Sequence, residues 1–563
     1  MVLLGVLFLA VTMVMLRPSP SNFRDTLPDN PGDPALVTWI LDHAAHGLFT
    51  DPADLFDAPI FWPHKNTFAY SESMLPVAPV YALLRVVSRD PIVALNLLVV
   101  AFSVFNLGTT YALAHRILRR RDAALLSAFA FGFTSYVLAR QGHPHLMPIG
   151  VFPLAYLALL RLLEQPRYWR AVLAGLANAV AMLTALYYGA IWSVCLVLTL
   201  LLWALRHRPR VWMRYLGPLV VMTVLTAVFV APVARQYARA DVTRPLSDEL
   251  SLGPRDLITT PQGSYVYSWL EPHGRNVARI EHTYFPGFVA PLLGCIGLVW
   301  LIVVSWRAWR RRDPDLADPK ARTLRHDELW TVLAGGVVAT ILALGPTVLG
   351  QPAPFRFFHE HVPGFSGIRA TSRLAVPGLL AGALLAGAGF AVLTRSLAPR
   401  WRTAAIVAAC GVVLLEPAAQ MHHHRVDRSD DTMAVYEELD RRDGPVVELP
   451  VIVPSVEPVH WPYVEATRML RSTVDRNPRF NGYSGEFPTD YLERAVVLNT
   501  FPSPDSLRLA DELGIRFVVL HTTSTGEAGA LSEADAEAKL DDLPPGLRAH
   551  RFGSAWLVDL QDR

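Results

Sequence analysis

Apolar residues along this chain come in long blocks separated by polar stretches. The blocks fall at residues 1–16, 91–114, 123–139, 146–163, 171–187, 188–205, 214–233, 286–305, 329–345, 373–394 and 403–419. They predict roughly eleven membrane spans, each near the ~20 residues a helix needs to cross a bilayer. The first block is short, has no basic residue before it and shows no small-residue cleavage site, so it predicts an uncleaved span. Two kinds of loop alternate between the blocks. One kind is short and arginine-rich: HRILRRRD (115–122), EQPRYWR (164–170), RHRPRVWMR (206–214), RAWRRRDPD (307–315) and RSLAPRWR (395–402). The other is mixed in charge, with proline and aromatics: residues 17–75, 140–146, 234–285, 346–372 and 420–563. The alternation is unbroken if the arginine-rich loops are cytoplasmic, as the positive-inside rule requires. That predicts a multi-pass plasma-membrane protein with a short cytoplasmic N-terminus and residues 420–563 outside. Residues 74–88, MLPVAPVYALLRVVS, are apolar enough to be a short span. Counting them would invert every later loop, so they are predicted to form a juxtamembrane helix at the outer interface.

Beyond about residue 420 the periodicity changes. Short β-branched runs, VVELPV (446–451), RFVVLH (516–521) and AWLVDL (555–560), alternate with helical patterns at 432–442, 504–514 and 532–542. The expected organisation is a polytopic α-helical membrane domain over 1–419 and a small extracytoplasmic α/β domain over 420–563. The Pro- and Asp-rich stretch 313–327 reads as a mobile linker.

Composition sharpens this picture only in places. Of 563 residues, 52% are hydrophobic, and the block arrangement assigns that excess to membrane spans, not to a large soluble core. The formal net charge of +2 points to no nucleic-acid partner. Cys195, Cys295 and Cys410 all lie in apolar runs, where they behave as small hydrophobes and offer neither a disulfide framework nor metal-ligand spacing. No P-loop, GxGxxG, GxSxG or HExxH motif is present, so there is no nucleotide machinery for a pump.

The unusual polar residues collect in the mixed loops, and that asymmetry is the main functional clue. PGDPALVTWILDH (31–43) places Asp33 at a membrane–water boundary, where a carboxylate can serve as a general base. Asp before Pro34 is equally a helix start signal, and both roles can hold together. Glu72, the second acid of the same loop, can orient a substrate hydroxyl, bind a metal or cap the following helix. RQGHPHLMP (140–148) brings Arg140, His143 and His145 into one tight turn suited to a lipid phosphate or to anchoring at the interface. In the loop 234–285, Tyr267, Trp269, Glu281 and His282 combine rings and acids as a carbohydrate platform would; an interfacial aromatic belt is the alternative. GFSGIRATSRLAVPG (364–378) spaces Arg369 and Arg373 four apart, on one face if helical. Fork-shaped pairing to a phosphate would account for two arginines on the outer side; pairing with loop carboxylates is the alternative. His422, His423 and His424 read as a surface tract.

A first span, an acidic loop opening on GDPALVTW, many further spans and a terminal α/β region together resemble the GT-C superfamily of integral-membrane glycosyltransferases. RQGHPHLMP, GIRATSRLAVPG, VVELP, NGYSGEFP and LGIRFVVLH resemble a bacterial subgroup of it. The resemblance implies an enzyme that takes a sugar from a polyprenyl-phosphate donor to an extracytoplasmic glycan, lipid or protein acceptor, working among membrane lipids. Asp33 matches the family's catalytic acid by position and context. Arg369, Arg373 and Arg140 would hold the leaving phosphate, while Glu72 and the aromatic loop would position sugars. Many members carry adjacent paired acids in the first loop. Here Pro34 follows Asp33, so no metal site carries over and a divalent metal is left open as a cofactor. A lipid or polysaccharide transporter would need polar residues lining its spans, and most spans here are bare of charge. A non-catalytic envelope-assembly protein on the same scaffold is the third reading.

Overall fold

The computed structural model describes residues 2–17, 23–240, 244–271, 277–311, 325–452, 461–522 and 529–561. Every block expected to span is helical. Among the described residues, seven helical segments are long and apolar enough to cross a membrane: Pro91–Leu118, Arg121–Ala139, Pro144–Glu164, Leu186–Arg206, Pro209–Ala240, Val289–Arg307 and Thr371–Leu393. Val2–Leu16, Tyr168–Thr184, His326–Ala343 and Pro399–Leu415 lie at the other four expected blocks and are helical but do not meet both demands. Most of the predicted linker 313–327 lies outside the described residues.

Two of the arginine-rich loops, 115–122 and 164–170, meet at one end of the bundle. Arg116 on the helix Pro91–Leu118 pairs with Glu164 at 3.0 Å and Glu328 at 2.6 Å, and Arg325 joins the same carboxylates. Asp33 lies towards the opposite end, where that helix begins. There the helix Ala78–Val87 has ten residues. It is about 15 Å long, half the apolar thickness of a bilayer. Val80, Leu83, Val86 and Val87 are exposed along one side, while Tyr81 is buried and Arg85 reaches Asp42 at 2.9 Å. A short helix with one apolar stripe open and a polar anchor behind it is the geometry of an interfacial element. The helix Pro209–Ala240 runs on past the expected end of its span, so the loop at 234–285 begins as helix.

In the C-terminal region Val446–Leu449 pairs in parallel with Phe517–His521. Ala555–Asp559 and then Ala549–Phe552 add antiparallel, making four strands. The last of these went unpredicted because AHRF lies at the sheet edge, half-exposed, with no apolar alternation. Val446, Phe517 and Val519 face a small core under the helix Asp430–Leu439. Val447, Leu449, Val518 and Leu520 face the other way and join the large core that contains the membrane helices. Burial on both faces explains why the inner strands read as unbroken apolar runs. The docking continues through polar contacts: Thr26–Pro28 pairs with His423–Arg425, Trp62 Nε1 donates to the Leu513 carbonyl at 2.7 Å, and Arg428 pairs with Asp90 at 2.9 Å.

Candidate active site

Asp33 opens the helix Asp33–Thr50, whose N-cap is Gly32, with Pro34 in the first turn. Pro34 pre-sets the helical φ and lacks an N–H that would otherwise need a partner. The Asp33 carboxylate makes no capping bond. It turns away from its own helix: His143 Nε2 lies 3.1 Å from Oδ2, and the Tyr483 hydroxyl donates to Oδ1 at 3.2 Å. The side chain is thus directed at the loop space and held there by His143 and Tyr483.

His143 is placed by close backbone packing. Its turn passes so near Asp29 and Asn30 that a Cβ on Gly142 would run into both side chains. Asn106, buried in the helix Pro91–Leu118, holds the far side of the turn, donating to the Met147 carbonyl at 2.8 Å and accepting from the Gly150 N–H at 2.7 Å. Nδ1 of His143 is buried and has no hydrogen-bond partner among the described residues. The His145 ring is 5.8 Å from that of His143.

Behind this pair lies a buried ion cluster. Glu281 accepts from Arg140 at 3.0 Å through Oε2 and from Arg373 at 2.5 Å through Oε1. Arg140 also stacks over Tyr136 and Tyr284, with its guanidinium carbon 3.8 and 5.1 Å from the ring centroids. Arg373 lies 4.5 Å over Tyr187. Burial alone would push the Glu281 carboxyl up, but Arg373 and Arg140 hold it well below the usual range. These contacts correct the expectation that Arg140 and Arg373 present open forks to a phosphate. Arg140 is fully buried, and both arginines are committed to Glu281. Two cations on one anion leave an excess positive charge, which can attract an anion as a field without touching it.

Arg369 is the arginine left open. It lies in non-helical chain ahead of the short 3₁₀ turn Thr371–Ala375, so the four-residue spacing does not place it beside Arg373. It is exposed, forms no ion pair with a described residue, and is close enough to Tyr483 to act on it electrostatically. Glu72 accepts the Leu186 N–H at 2.5 Å, so it caps the helix Leu186–Arg206 and not the expected interfacial helix. Burial pushes its carboxyl up to about 7, against the pull of that N–H and of Arg373.

The remaining expected residues stand elsewhere. Tyr267 packs edge-on against Trp269, Phe285 and Phe288 and donates to Glu416 at 3.1 Å. His282 bridges Asp256 and the Glu249 carbonyl, both at 3.0 Å, as a brace of its own loop. None of these contacts reaches Asp33. Among the described residues no group of three or more His, Cys, Asp or Glu side chains is disposed to hold a metal ion. Sequence reasoning missed Tyr483 as a site residue: NGYSGEFP signalled a similarity but carried no chemistry 450 positions from Asp33.

No protein-family model matches the chain, and no curated protein sequence does. Solved structures do. The arabinofuranosyltransferase AftD from Mycobacteria matches 99% of this chain at 14% identity with a TM-score of 0.55. This chain spans 39% of AftD's length. The oligosaccharyltransferase of Archaeoglobus fulgidus overlaps 92% of this chain and 69% of its own at 11% identity, TM-score 0.45. ArnT from Cupriavidus metallidurans, solved with undecaprenyl phosphate bound, overlaps 99% and 97% at 12% identity, TM-score 0.44. The chain thus shares the fold of the AftD structure over 99% of its length.

Proposed function

We propose that this protein is a membrane glycosyltransferase that moves a sugar from a polyprenyl-phosphate donor to a hydroxyl of an extracytoplasmic glycan, lipid or protein acceptor. The observation that carries this reading is the Asp33 carboxylate, turned off its helix and braced by His143 and Tyr483 at one end of an apolar helical bundle. A carboxylate held by two donors keeps further lone pairs for an incoming hydroxyl. In the reaction, Asp33 takes the acceptor's hydroxyl proton as its oxygen bonds to the anomeric carbon. The bond from that carbon to the donor phosphate oxygen breaks, and the polyprenyl phosphate leaves with the electron pair. Arg369 at the rim pairs with the leaving phosphate, and the excess charge behind His143 stabilises the developing anion. The alternation of arginine-rich loops supports an extracytoplasmic position for this end of the bundle.

The test is transfer by purified protein in lipid, offered a panel of polyprenyl-phosphate sugars. Asp33→Asn keeps the shape and removes the base. It should cut transfer by about two to four orders of magnitude with the protein still folded. Full activity in Asp33→Asn, or no transfer from any donor by the intact protein, would overturn the reading.

A further inference from the structure

We infer that the C-terminal region is part of the catalytic site, because its Tyr483 hydroxyl sets the orientation and basicity of the Asp33 carboxylate. This rests on the function proposed above and goes beyond it by assigning a positioning residue to a region otherwise free to be only a docking module.

Tyr483 does not reach Asp33 by chance of a loose loop. The segment that carries it is fixed on both sides. Ser484 shares a hydrogen bond with Ser71 at 2.6 Å, and the Gly485 N–H donates to the same Ser71 hydroxyl at 3.2 Å. Arg244 pairs with Glu486 at 2.5 Å and donates to the Gly485 carbonyl at 2.7 Å. Upstream, the Phe61 N–H donates to the Asn481 carbonyl, and the Phe61 ring fills the place a Cβ on Gly482 would occupy. The Tyr483 phenol is thus delivered to Asp33 by a clamped backbone. Burial and then the Asp33 charge push its ionisation well above the usual range. The hydroxyl therefore stays protonated and donates wherever Asp33 is ionised.

A hydrogen bond to an ionised carboxylate favours the ionised form. It also fixes which lone pairs face the acceptor. The charged and titratable groups around Asp33 are His143, Tyr483 and Tyr463, with Arg369 and Asp29 one neighbour further out. Among the described residues, only Tyr483 and His143 bond to it. Removing the phenol oxygen leaves all the others in place, so one donor is lost from one carboxylate oxygen.

The experiment uses the full-length protein in lipid and measures kcat and KM across pH for the wild type, Tyr483→Phe, Ser484→Ala and Asp33→Asn. In Tyr483→Phe the acid limb of kcat/KM should move up by about one pH unit. Its kcat at neutral pH should fall about tenfold while KM for the donor stays within about twofold. Ser484→Ala loosens the same segment without touching Asp33, and its acid limb should stay where the wild type has it. An unshifted limb in Tyr483→Phe overturns the inference, as does an equal shift in Ser484→Ala, which would make the effect one of docking. Full activity in Asp33→Asn instead overturns the underlying reading, so the two failures are distinguishable.

Discussion

At the scale of single residues, the site separates cations that recognise from cations that support. Arg140 and Arg373 share Glu281 in a pocket where Glu281's side chain is 7% exposed. Removing the shared anion would leave two guanidinium groups buried without a counter-charge, which costs about 3–5 kcal/mol in comparable cases. Glu281→Gln should therefore lower the unfolding temperature strongly, as read by thermal unfolding in detergent. Arg369 is exposed and carries no such debt. Arg369→Gln should leave the unfolding temperature within a degree or so and raise KM for the lipid-phosphate donor about tenfold, the loss of one charge-assisted pair. Equal destabilisation by both variants would remove the distinction between them. The sequence showed that these arginines were out of place for the positive-inside rule. It did not show which were free, because pairing with Glu281 depends on contacts 92 and 141 positions away along the chain.

Among the elements, two are pressed together to make the Asp33–His143 pair: the start of the helix Asp33–Thr50 and the turn 140–150. Each was legible on its own, one from Asp33-Pro34 at the head of an apolar run, the other from a polar turn between two spans. Their meeting was not, because it depends on the absence of a side chain at Gly142 and on Asn106 deep in a third helix. Gly142→Ala puts a methyl group against Asp29 Oδ2 and Asn30 Nδ2, which bond to each other at 2.9 Å, so that pair must part or the turn must move, and either disturbs the packing that holds His143 at Asp33. Transfer should fall at least about tenfold, from a displacement on the order of 1 Å. Asp29 has a left-handed backbone, φ 66°, which glycine adopts freely. Asp29→Gly in the Gly142→Ala background should therefore restore part of the lost rate without introducing backbone strain. A Gly142→Ala protein with wild-type kcat would show that the close approach does not matter.

For the whole molecule, the apolar helices and three of the four C-terminal strands were legible from periodicity, whereas their union was not. The inner face of the sheet shares one core with the membrane helices, and that continuity arises from side chains that look like ordinary strand residues. Beneath the sheet lies a second charged cluster with opposed titration. Burial would push Glu448 up, but Arg479 at 2.7 Å and His521 at 2.8 Å hold it well below its usual range. Glu465 is as deeply buried, and there burial wins, lifting the carboxyl to about 7 against Arg468 and with Glu448 adding to the rise. Between the ordinary Glu value of 4.5 and about 7, the folded chain thus holds a proton at Glu465 that the unfolded chain has released. Stability contributed by Glu465 is present below that window and is lost as pH rises through it. Glu448 acts in the opposite sense: its contribution is present above the ordinary value and is lost as pH falls through its lowered one. Glu465→Gln keeps the shape and removes the titration. Thermal unfolding of the full chain in nanodiscs should then show a flatter fall in stability from pH 5 to about 7.5, with the acid-side loss governed by Glu448 unchanged. Because Tyr483 depends on the same region for its position, transfer in Glu465→Gln should also persist to higher temperature at alkaline pH. An unaltered slope would mean that the Glu465 proton is not what ties the stability of this region to pH.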